Sequence, residues 1–150
     1  MRLISHRGNI HGPDPDRENH PDYVQAALDA GYDVEVDVWF LQDRWFFGHD
    51  RPEWEVEPAF LDDKRLWLHC KNLAAFTFLS ECGANHHYFW HETDQYTLTS
   101  KHYIWTYPGC DLPRTRGIVV LPELTEDAFV EEAAGICSDW IDLYDYLKEE

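Results

Sequence analysis

The order of apolar and polar residues predicts short buried strands separated by helices and loops. Residues 2–5 form an apolar run typical of a buried strand, and residues 33–40 alternate valines with acidic or aromatic residues, which is the period-two pattern of a strand. The short linker 41–43 returns the chain into residues 44–48, so these runs predict a β-hairpin. Further strands are predicted at residues 66–70, 87–91, 103–107, 118–121 and 135–139.

Helix signals fall between these strands. Pro21 in a first turn and Gly31 just past the last turn are the usual start and stop residues of a helix, and Gly83 ends another in the same way. Thr125 is a typical residue to cap a third helix. The predicted helices cover residues 21–30, 73–82, 125–134 and 140–150.

Strands that alternate with helices predict an α/β fold with a largely parallel sheet. Seven inner strands, with the return strand of the hairpin set apart, suggest a TIM-type (β/α) barrel. Such barrels typically need ~250 residues, whereas this chain has 150. We therefore expect one domain over residues 1–150, a reduced or incomplete TIM-type barrel with a small β-hairpin after the second strand.

The charge balance excludes several classes of partner. The chain has 29 Asp and Glu residues against 12 Lys and Arg residues, a net charge of −17. This balance argues against a nucleic-acid-binding protein and against a protein that binds a membrane surface through a polybasic patch. No run of residues is long and apolar enough for a membrane span. No apolar signal region precedes His6, and the four cysteines form no CxxC pair, which favours a reducing cytoplasm. A trimmed barrel leaves apolar flanks uncovered, so a homodimer is a reasonable hypothesis.

Polar residues occur where the predicted strands end. In parallel α/β folds the functional groups gather at these carboxyl ends. Glu35 and Asp37 lie two residues apart on one face of a Val-rich strand, and burying both carboxylates is costly unless a cation lies between them. The alternative is that this face of the strand is exposed to solvent. The other strand-end residues are His6, Arg7, His49, Asp50, His69, Lys71, His91, Glu92, Glu123 and Asp139.

These residue types suit chemistry on a phosphodiester. Hard carboxylate oxygens are the ligands that Mg²⁺ or Ca²⁺ prefers. A pair of histidines can accept a proton from the nucleophile and donate one to the leaving oxygen. Arg7 could hold a phosphate oxygen through its fork of donors, and Lys71 could do so as a point charge.

Four motifs in this order resemble the signature of the glycerophosphodiester phosphodiesterase family. They are His6-Arg7-Gly8, Glu18-Asn19, Glu35-Val36-Asp37 and His49-Asp50. Lys71 resembles the family's lysine on the third barrel strand, and residues 136–139 resemble its closing strand. The resemblance covers the first half of the chain well. It implies a (β/α) barrel whose metal-dependent site cleaves small glycerophosphodiesters to glycerol phosphate and an alcohol.

The resemblance also implies a role for each matching residue. His6 and His49 would form the general acid/base pair, and Glu35 and Asp37 would bind the metal. The substrate-binding residues would be Arg7 and Lys71, which would contact phosphate, and Glu18, a loop glutamate near the site.

One residue departs from the family pattern at the metal site. The family usually has an acidic residue two positions before the lysine, and this chain has His69 there. As a third metal ligand, His69 would shift the preference from Mg²⁺ or Ca²⁺ towards Mn²⁺ or Zn²⁺. Alternatively, Glu92 or Glu123 supplies the missing oxygen, or His69 only lines the pocket.

The leading hypothesis is therefore a metal-dependent phosphodiesterase with a small-molecule phosphodiester substrate. A second hypothesis is a phospholipase-D-like or sphingomyelinase-like lyase, because related barrels share this arrangement of histidines and acids. A third is a non-catalytic domain that binds a phosphoester or a metal, and His69 in place of the acid is its best argument.

Overall fold

A ten-stranded sheet forms the centre of the computed structural model, which describes residues 1–125 and 130–148. Its strands are β1 (Arg2–His6), β2 (Asp33–Leu41), β3 (Arg44–Phe47), β4 (Trp54–Val56), β5 (Leu66–Cys70), β6 (His87–Phe89), β7 (Tyr96–Leu98), β8 (Ile104–Thr106), β9 (Gly117–Val120) and β10 (Gly135–Ser138). The two α-helices of the described residues are α1 (Pro21–Asp29) and α2 (Leu73–Cys82). The prediction of a mixed α/β fold is confirmed.

Seven strands run parallel, in the spatial order β6, β5, β2, β1, β10, β9, β8. The hairpin of β2 and β3, continued by β4, and the pair β7 and β8 are antiparallel. Within the described ranges no ladder joins β6 to β8, so the sheet is not closed. Two rings meet across this opening, where Phe89 lies 4.7 Å from Trp105 between centroids. The prediction of a parallel sheet with a hairpin after the second strand is confirmed.

Local signals fix both α-helices at the predicted places. Pro21 opens α1, and the His20 ring accepts a hydrogen bond from the Asp22 backbone N–H. Asn72 caps α2 by accepting from the Ala75 N–H at 3.1 Å, and Gly83 follows its last residue. These contacts satisfy backbone donors that a helix leaves without partners in its first turn.

The structure differs from the predictions near the carboxyl terminus. The predicted helix over residues 140–150 is a 3₁₀ helix, Ile141–Leu147, in its described part. Its apolar residues Ile141, Tyr144 and Leu147 are spaced by three, which suits three residues per turn as well as an α-helix. The predicted helix over residues 125–134 lies partly outside the described residues, and its described end is the 3₁₀ turn Val130–Glu132.

Two smaller features complete the fold. Strands β4 and β7 were not predicted, and further 3₁₀ turns are formed by Pro58–Asp62 and Pro122–Leu124.

No helix among residues 1–125 and 130–148 has the length and apolar character needed to cross a membrane.

The inner face of the sheet carries a layer of apolar side chains contributed by many strands. Its buried members are Ile4, Trp67, Phe89, Trp105, Ile118, Val120 and Cys137. Alternate residues of a strand share a face, so His6 lies on the face of Ile4 and His69 on the face of Trp67, each two residues nearer the carboxyl end of its strand. A second cluster packs α1 and α2 against the other face of β2 and β5. The apolar layer thus separates the two ends of the parallel strands.

Candidate metal and acid–base site

Glu35, Asp37 and His69 meet at the carboxyl ends of β2 and β5. The register of these parallel strands pairs Asp37 with His69, and Glu35 lies on the same face two residues earlier. His69 Nδ1 is 3.3 Å from Glu35 Oε1 and 3.2 Å from Asp37 Oδ1. Glu35 is 1% exposed and Asp37 0%. The alternative of a solvent-exposed acidic face is therefore wrong.

The three residues offer one ligand atom each within 4.8 Å of one another, as a bound cation requires. Glu35 Oε2 and Asp37 Oδ1 are buried and form no hydrogen bond in the described structure. A buried carboxylate oxygen without a partner is costly, and a cation would satisfy it. The donor set of carboxylate oxygens and one imidazole fits a divalent metal ion.

His69 is oriented by its second ring nitrogen. Nε2 donates to the carbonyl oxygen of His91 at 2.7 Å, which leaves Nδ1 directed at the two carboxylates. Burial by itself lowers the pKa of His69, but the Asp37 and Glu35 carboxylates outweigh it and raise the pKa to about 9. Nδ1 therefore either carries a proton that the two carboxylates share or would serve as a nitrogen ligand beside them.

Asp37 is held in its charged form by several neighbours. Burial raises the pKa of this carboxyl, but His69, the charge of Arg7 and a hydrogen bond from Asn19 lower it well below its ordinary value. Asn19 Nδ2 donates to Asp37 Oδ2 at 2.8 Å, and Asn19 Oδ1 accepts from the Asp37 N–H at 3.0 Å. The loop that carries Asn19 therefore holds the Asp37 carboxylate in place through both hydrogen bonds.

His6 forms a pair with Asp139 beside this group. Asp139 follows β10, the neighbour of β1, and its Oδ1 lies 2.6 Å from His6 Nδ1. His6 Nε2 faces Glu35 Oε2 at 3.7 Å. Burial lowers the pKa of His6, whereas the hydrogen bond with Asp139 and the charge of Glu35 raise it. Together the two acids outweigh burial, so the pKa of His6 lies above its ordinary value. A histidine that donates through Nδ1 to a carboxylate keeps Nε2 for proton transfer.

Asn9 connects this pair to the first helix. Its Nδ2 donates to Asp139 Oδ1 at 2.9 Å, and its Oδ1 accepts from the Tyr23 hydroxyl at 2.9 Å. Asn9 was not predicted to belong to the site, and neither Asn19 of the Glu-Asn motif nor Asp139 at its strand end was predicted to have a particular role. The signal that could have indicated them is the position of two asparagines beside the His-Arg-Gly and Glu-Asn motifs, since a buried amide requires polar partners.

Arg7 lies between two acids at the end of β1. Its Nε is 3.2 Å from Asp37 Oδ2, and its NH1 donates to Glu18 Oε1 at 3.4 Å. Its φ of 57° is unusual for arginine, and both its backbone groups are tied down, the N–H to Glu35 O and the C=O by the Asn19 N–H. Arg7 and Glu18 thus belong to the same constellation as the metal-site candidates.

His49 and Lys71 lie nearby without joining the cluster. The Gly48 N–H donates to Asp37 O at 3.1 Å, and a Cβ at Gly48 would lie 2.0 Å from the Arg51 carbonyl oxygen, so the turn that presents His49 requires glycine. His49 Nδ1 is 2.8 Å from Asp50 Oδ1, and the side chain is 42% exposed. Lys71 follows β5, and its charge helps to lower the pKa of His91 after burial and the charge of His69. Among the described contacts, none joins either side chain to Glu35 or His6.

The two alternative acids take no part in the three-residue group. Glu92 is exposed. Glu123 accepts from the Ser138 hydroxyl and from the Asp139 N–H, both at 2.9 Å, so it holds the end of β10. The residue that the structure places beside Glu35 and Asp37 is His69.

No protein-family model, curated protein or solved structure matches this chain.

Proposed function

We propose that the protein is a metal-dependent phosphodiesterase that hydrolyses a small glycerophosphodiester to glycerol phosphate and an alcohol. The observation that carries the proposal is the convergence of Glu35, Asp37 and His69 with the His6–Asp139 pair at the carboxyl ends of β1, β2, β5 and β10. This is the edge of a parallel sheet at which active sites form.

A reduced TIM-type barrel is the fold that suits this proposal. The parallel strands follow one another around the sheet in chain order, with β1 beside both β2 and β10. Such an order is that of a (β/α) barrel. The Phe89–Trp105 contact joins the two strands that flank the opening. These features support membership of the glycerophosphodiester phosphodiesterase type, which the motifs resemble.

The chain's own residues divide the work on the substrate. Glu35, Asp37 and His69 would hold the divalent metal, which supplies charge stabilisation for the phosphate oxygens. Arg7, held by Asp37 and Glu18, would present its remaining donors to the same phosphate. In a chain of net charge −17, an anionic substrate needs such local positive charge.

His6 and His49 would exchange the protons. Each has Nδ1 beside a carboxylate, Asp139 for His6 and Asp50 for His49, and this contact fixes the ring with Nε2 free to act. His6 is nearly buried, whereas His49 lies on an exposed turn after β3. The difference suggests that His6 acts at the reaction centre and His49 at the side of the leaving group that faces solvent.

Hydrolysis by metal-stripped protein tests the proposal. Glycerophosphocholine and a chromogenic phosphodiester are offered with Mg²⁺, Ca²⁺, Mn²⁺ or Zn²⁺ added back in turn. We expect metal-dependent turnover that falls by about 10²-fold or more in His6→Ala. The matched control is His11→Ala, because His11 is 81% exposed, pairs with Asp142 and makes no described contact with His6, Glu35, Asp37 or His69.

The products distinguish the competing functions. Glycerol phosphate detected by ³¹P NMR supports hydrolysis, whereas a cyclic phosphate as the final product would indicate the lyase. Folded protein that binds a metal but turns over no diester would overturn the enzymatic proposal in favour of a binding domain.

A further inference from the structure

The amino ends of the parallel strands surround a cavity of about 390 Å³. Trp67 lies near the start of β5, His87 begins β6, and Tyr103 directly precedes β8. The cavity therefore lies at the opposite ends of the strands from Glu35, Asp37 and His69. The apolar layer of the inner face lies between the two.

The lining of this cavity is strongly cationic. It includes Arg2, Lys64, Lys101 and Arg116, which are four of the chain's 12 Lys and Arg residues. Among residues 1–125 and 130–148, no Asp or Glu lines it, although the chain has 29 of them. Asp33 contacts two of the lining residues, Arg2 at 3.3 Å and the Trp67 indole N–H at 3.0 Å. A concentration of positive charge in so acidic a chain is not explained by internal ion pairing.

Three of the four cations carry charge that the described residues do not neutralise. Lys64 makes no hydrogen bond or ion pair within residues 1–125 and 130–148, and Lys101 Nζ only donates to the Ala84 carbonyl at 3.4 Å. The Arg116 guanidinium donates to the carbonyls of His102 and Lys101 at 2.9 and 3.0 Å and lies over the Tyr103 ring. These contacts orient the guanidinium but leave its full positive charge available.

The floor of the cavity is built from buried rings. Trp67 is buried, and His87 packs against it with ring centroids 3.9 Å apart. Burial, followed by the charges of Arg2 and Lys101, lowers the pKa of His87 to about 3. His87 is therefore neutral, and its Nε2 contacts the Thr99 hydroxyl at 2.7 Å. The floor is therefore formed by buried, uncharged rings, and the four cations form the rim of the cavity.

We propose that this cavity binds a small oxyanion that carries two or more negative charges, of the phosphate or carboxylate type. Guanidinium and ammonium groups around one cavity are the donors that recognise such oxygens. A ligand with one charge would leave most of the rim uncompensated. A long polyanion would extend beyond the cavity and be repelled by a chain whose overall net charge is −17.

Calorimetric titration of the metal-free full chain tests the proposal. Metals are removed with a chelating resin rather than a soluble chelator, because a soluble chelator is itself a polyanion. Pyrophosphate and citrate are titrated at constant ionic strength, and they distinguish phosphate from carboxylate oxygens. We expect saturable binding of at least one of them with one site per chain.

Paired variants locate the binding site by charge. Lys64→Gln removes a rim cation with no partner to disturb, and we expect it to weaken binding about tenfold. Arg114→Gln removes the same charge from a side chain that is 88% exposed and outside the cavity, and we expect less than about a twofold change. Equal weakening by both variants would overturn the proposal, since it would indicate attraction by the overall charge.

Nuclear magnetic resonance supplies a second readout. Trp67 lines the cavity and its indole N–H donates to Asp33, so we expect this N–H signal to shift on titration with the anion that binds. Shifts confined to His6 and His69, or no binding of either anion at about 10 mM, would overturn the proposal.

Discussion

The two ends of the parallel strands handle charge in opposite ways. At the carboxyl ends, acidic and basic groups neutralise one another at short range, as His69 does with Glu35 and Asp37. At the amino ends, Lys64, Lys101 and Arg116 lie around a cavity, and none of them has a carboxylate partner in the part of the chain that the structure describes. Trp67 and His69 share one face of β5, so a step of two residues along one strand separates the two environments.

The comparison shows what kind of ligand each end lacks. The carboxyl ends retain two buried carboxylate oxygens without hydrogen bonds, Glu35 Oε2 and Asp37 Oδ1, which a cation would satisfy in addition to the nearby histidines. The amino ends retain exposed cations, which solvent satisfies until an anion binds. We therefore expect the first arrangement to bind a cation and the second to bind an anion with two or more charges.

The largest expected effect is at the buried end. Asp37→Asn removes a full charge from the group formed with Glu35 and His69, so we expect affinity for a divalent metal to fall by more than about 10²-fold. Calorimetric titration with Mn²⁺ measures it. The matched control is Asp62→Asn, at a carboxylate that is 71% exposed beside His86 and remote from the cluster. Unchanged metal affinity in Asp37→Asn would show that the metal site is elsewhere.

Asp139→Asn tests the partner of His6. We treat Asp139 as a positioning residue, and we expect kcat to fall about 10–100-fold because the ring of His6 loses the carboxylate that fixes it. The hydrogen bond with Asp139 opposes the effect of burial and raises the pKa of His6. Loss of this hydrogen bond should therefore lower the pKa of His6, and the limb of the kcat–pH profile that depends on His6 should move to lower pH. A fall in kcat with an unmoved limb would mean that Asp139 acts only on stability.

The stability of the metal-free protein should depend on pH through His69. Its pKa is raised to about 9 in the folded state by the two carboxylates, against 6.5 in the unfolded chain. A raised pKa stabilises the fold fully below pH 6.5, and this contribution is lost as the pH rises through about 9. We expect the free energy of unfolding in urea to fall by roughly 3 kcal/mol across this window, since each pKa unit corresponds to about 1.4 kcal/mol. Saturation with the metal that binds should flatten the profile, and a flat profile without metal would contradict the ion pair.

The smallest expected effect is at the amino ends. Lys64→Gln relieves repulsion among exposed rim cations, so we expect a gain of only a few tenths of a kcal/mol in low salt. Thermal denaturation at two salt concentrations measures it, and about 0.5 M salt should remove the gain. Arg114→Gln should show no gain, because Arg114 lies 3.9 Å from a carboxylate oxygen of Glu132. A loss of stability in Lys64→Gln would show that this lysine is paired in solution.

The strands and α-helices were predictable because their signals are local. The strand Leu66–Cys70 and the helix Leu73–Cys82 agree with the predicted bounds, since Asn72 and Gly83 mark the ends of the helix. Strands β4 and β7 were missed because each has only three residues, too few for an alternating pattern to be recognised, and their pairing depends on a neighbouring antiparallel strand. A spacing of three could not distinguish a 3₁₀ helix from an α-helix at the carboxyl terminus.

The candidate site was predictable only in part. The residues Glu35, Asp37 and His69 could be named because strand ends are visible in the sequence. The contacts of Asn9 and Asn19 depend on how a loop folds back over the strands. The cationic cavity was missed because its residues extend from Arg2 to Arg116, and only the common direction of the strands brings them together. The substrate, the metal and the homodimer stay predictions.

The opening between β6 and β8 has a consequence for how such a chain can grow. The segment between Phe89 and Ile104 contributes β7 and its turns but no rung of the parallel ladder. A parallel strand inserted in this segment could pair with the free edge of β6, whereas β8 already pairs with both β7 and β9, so closing the sheet here would require β7 to leave β8. Lengthening at this position would extend the sheet beyond β6 and leave both ends of β1, β2 and β5 unchanged, so the strands that carry the candidate site would keep their order.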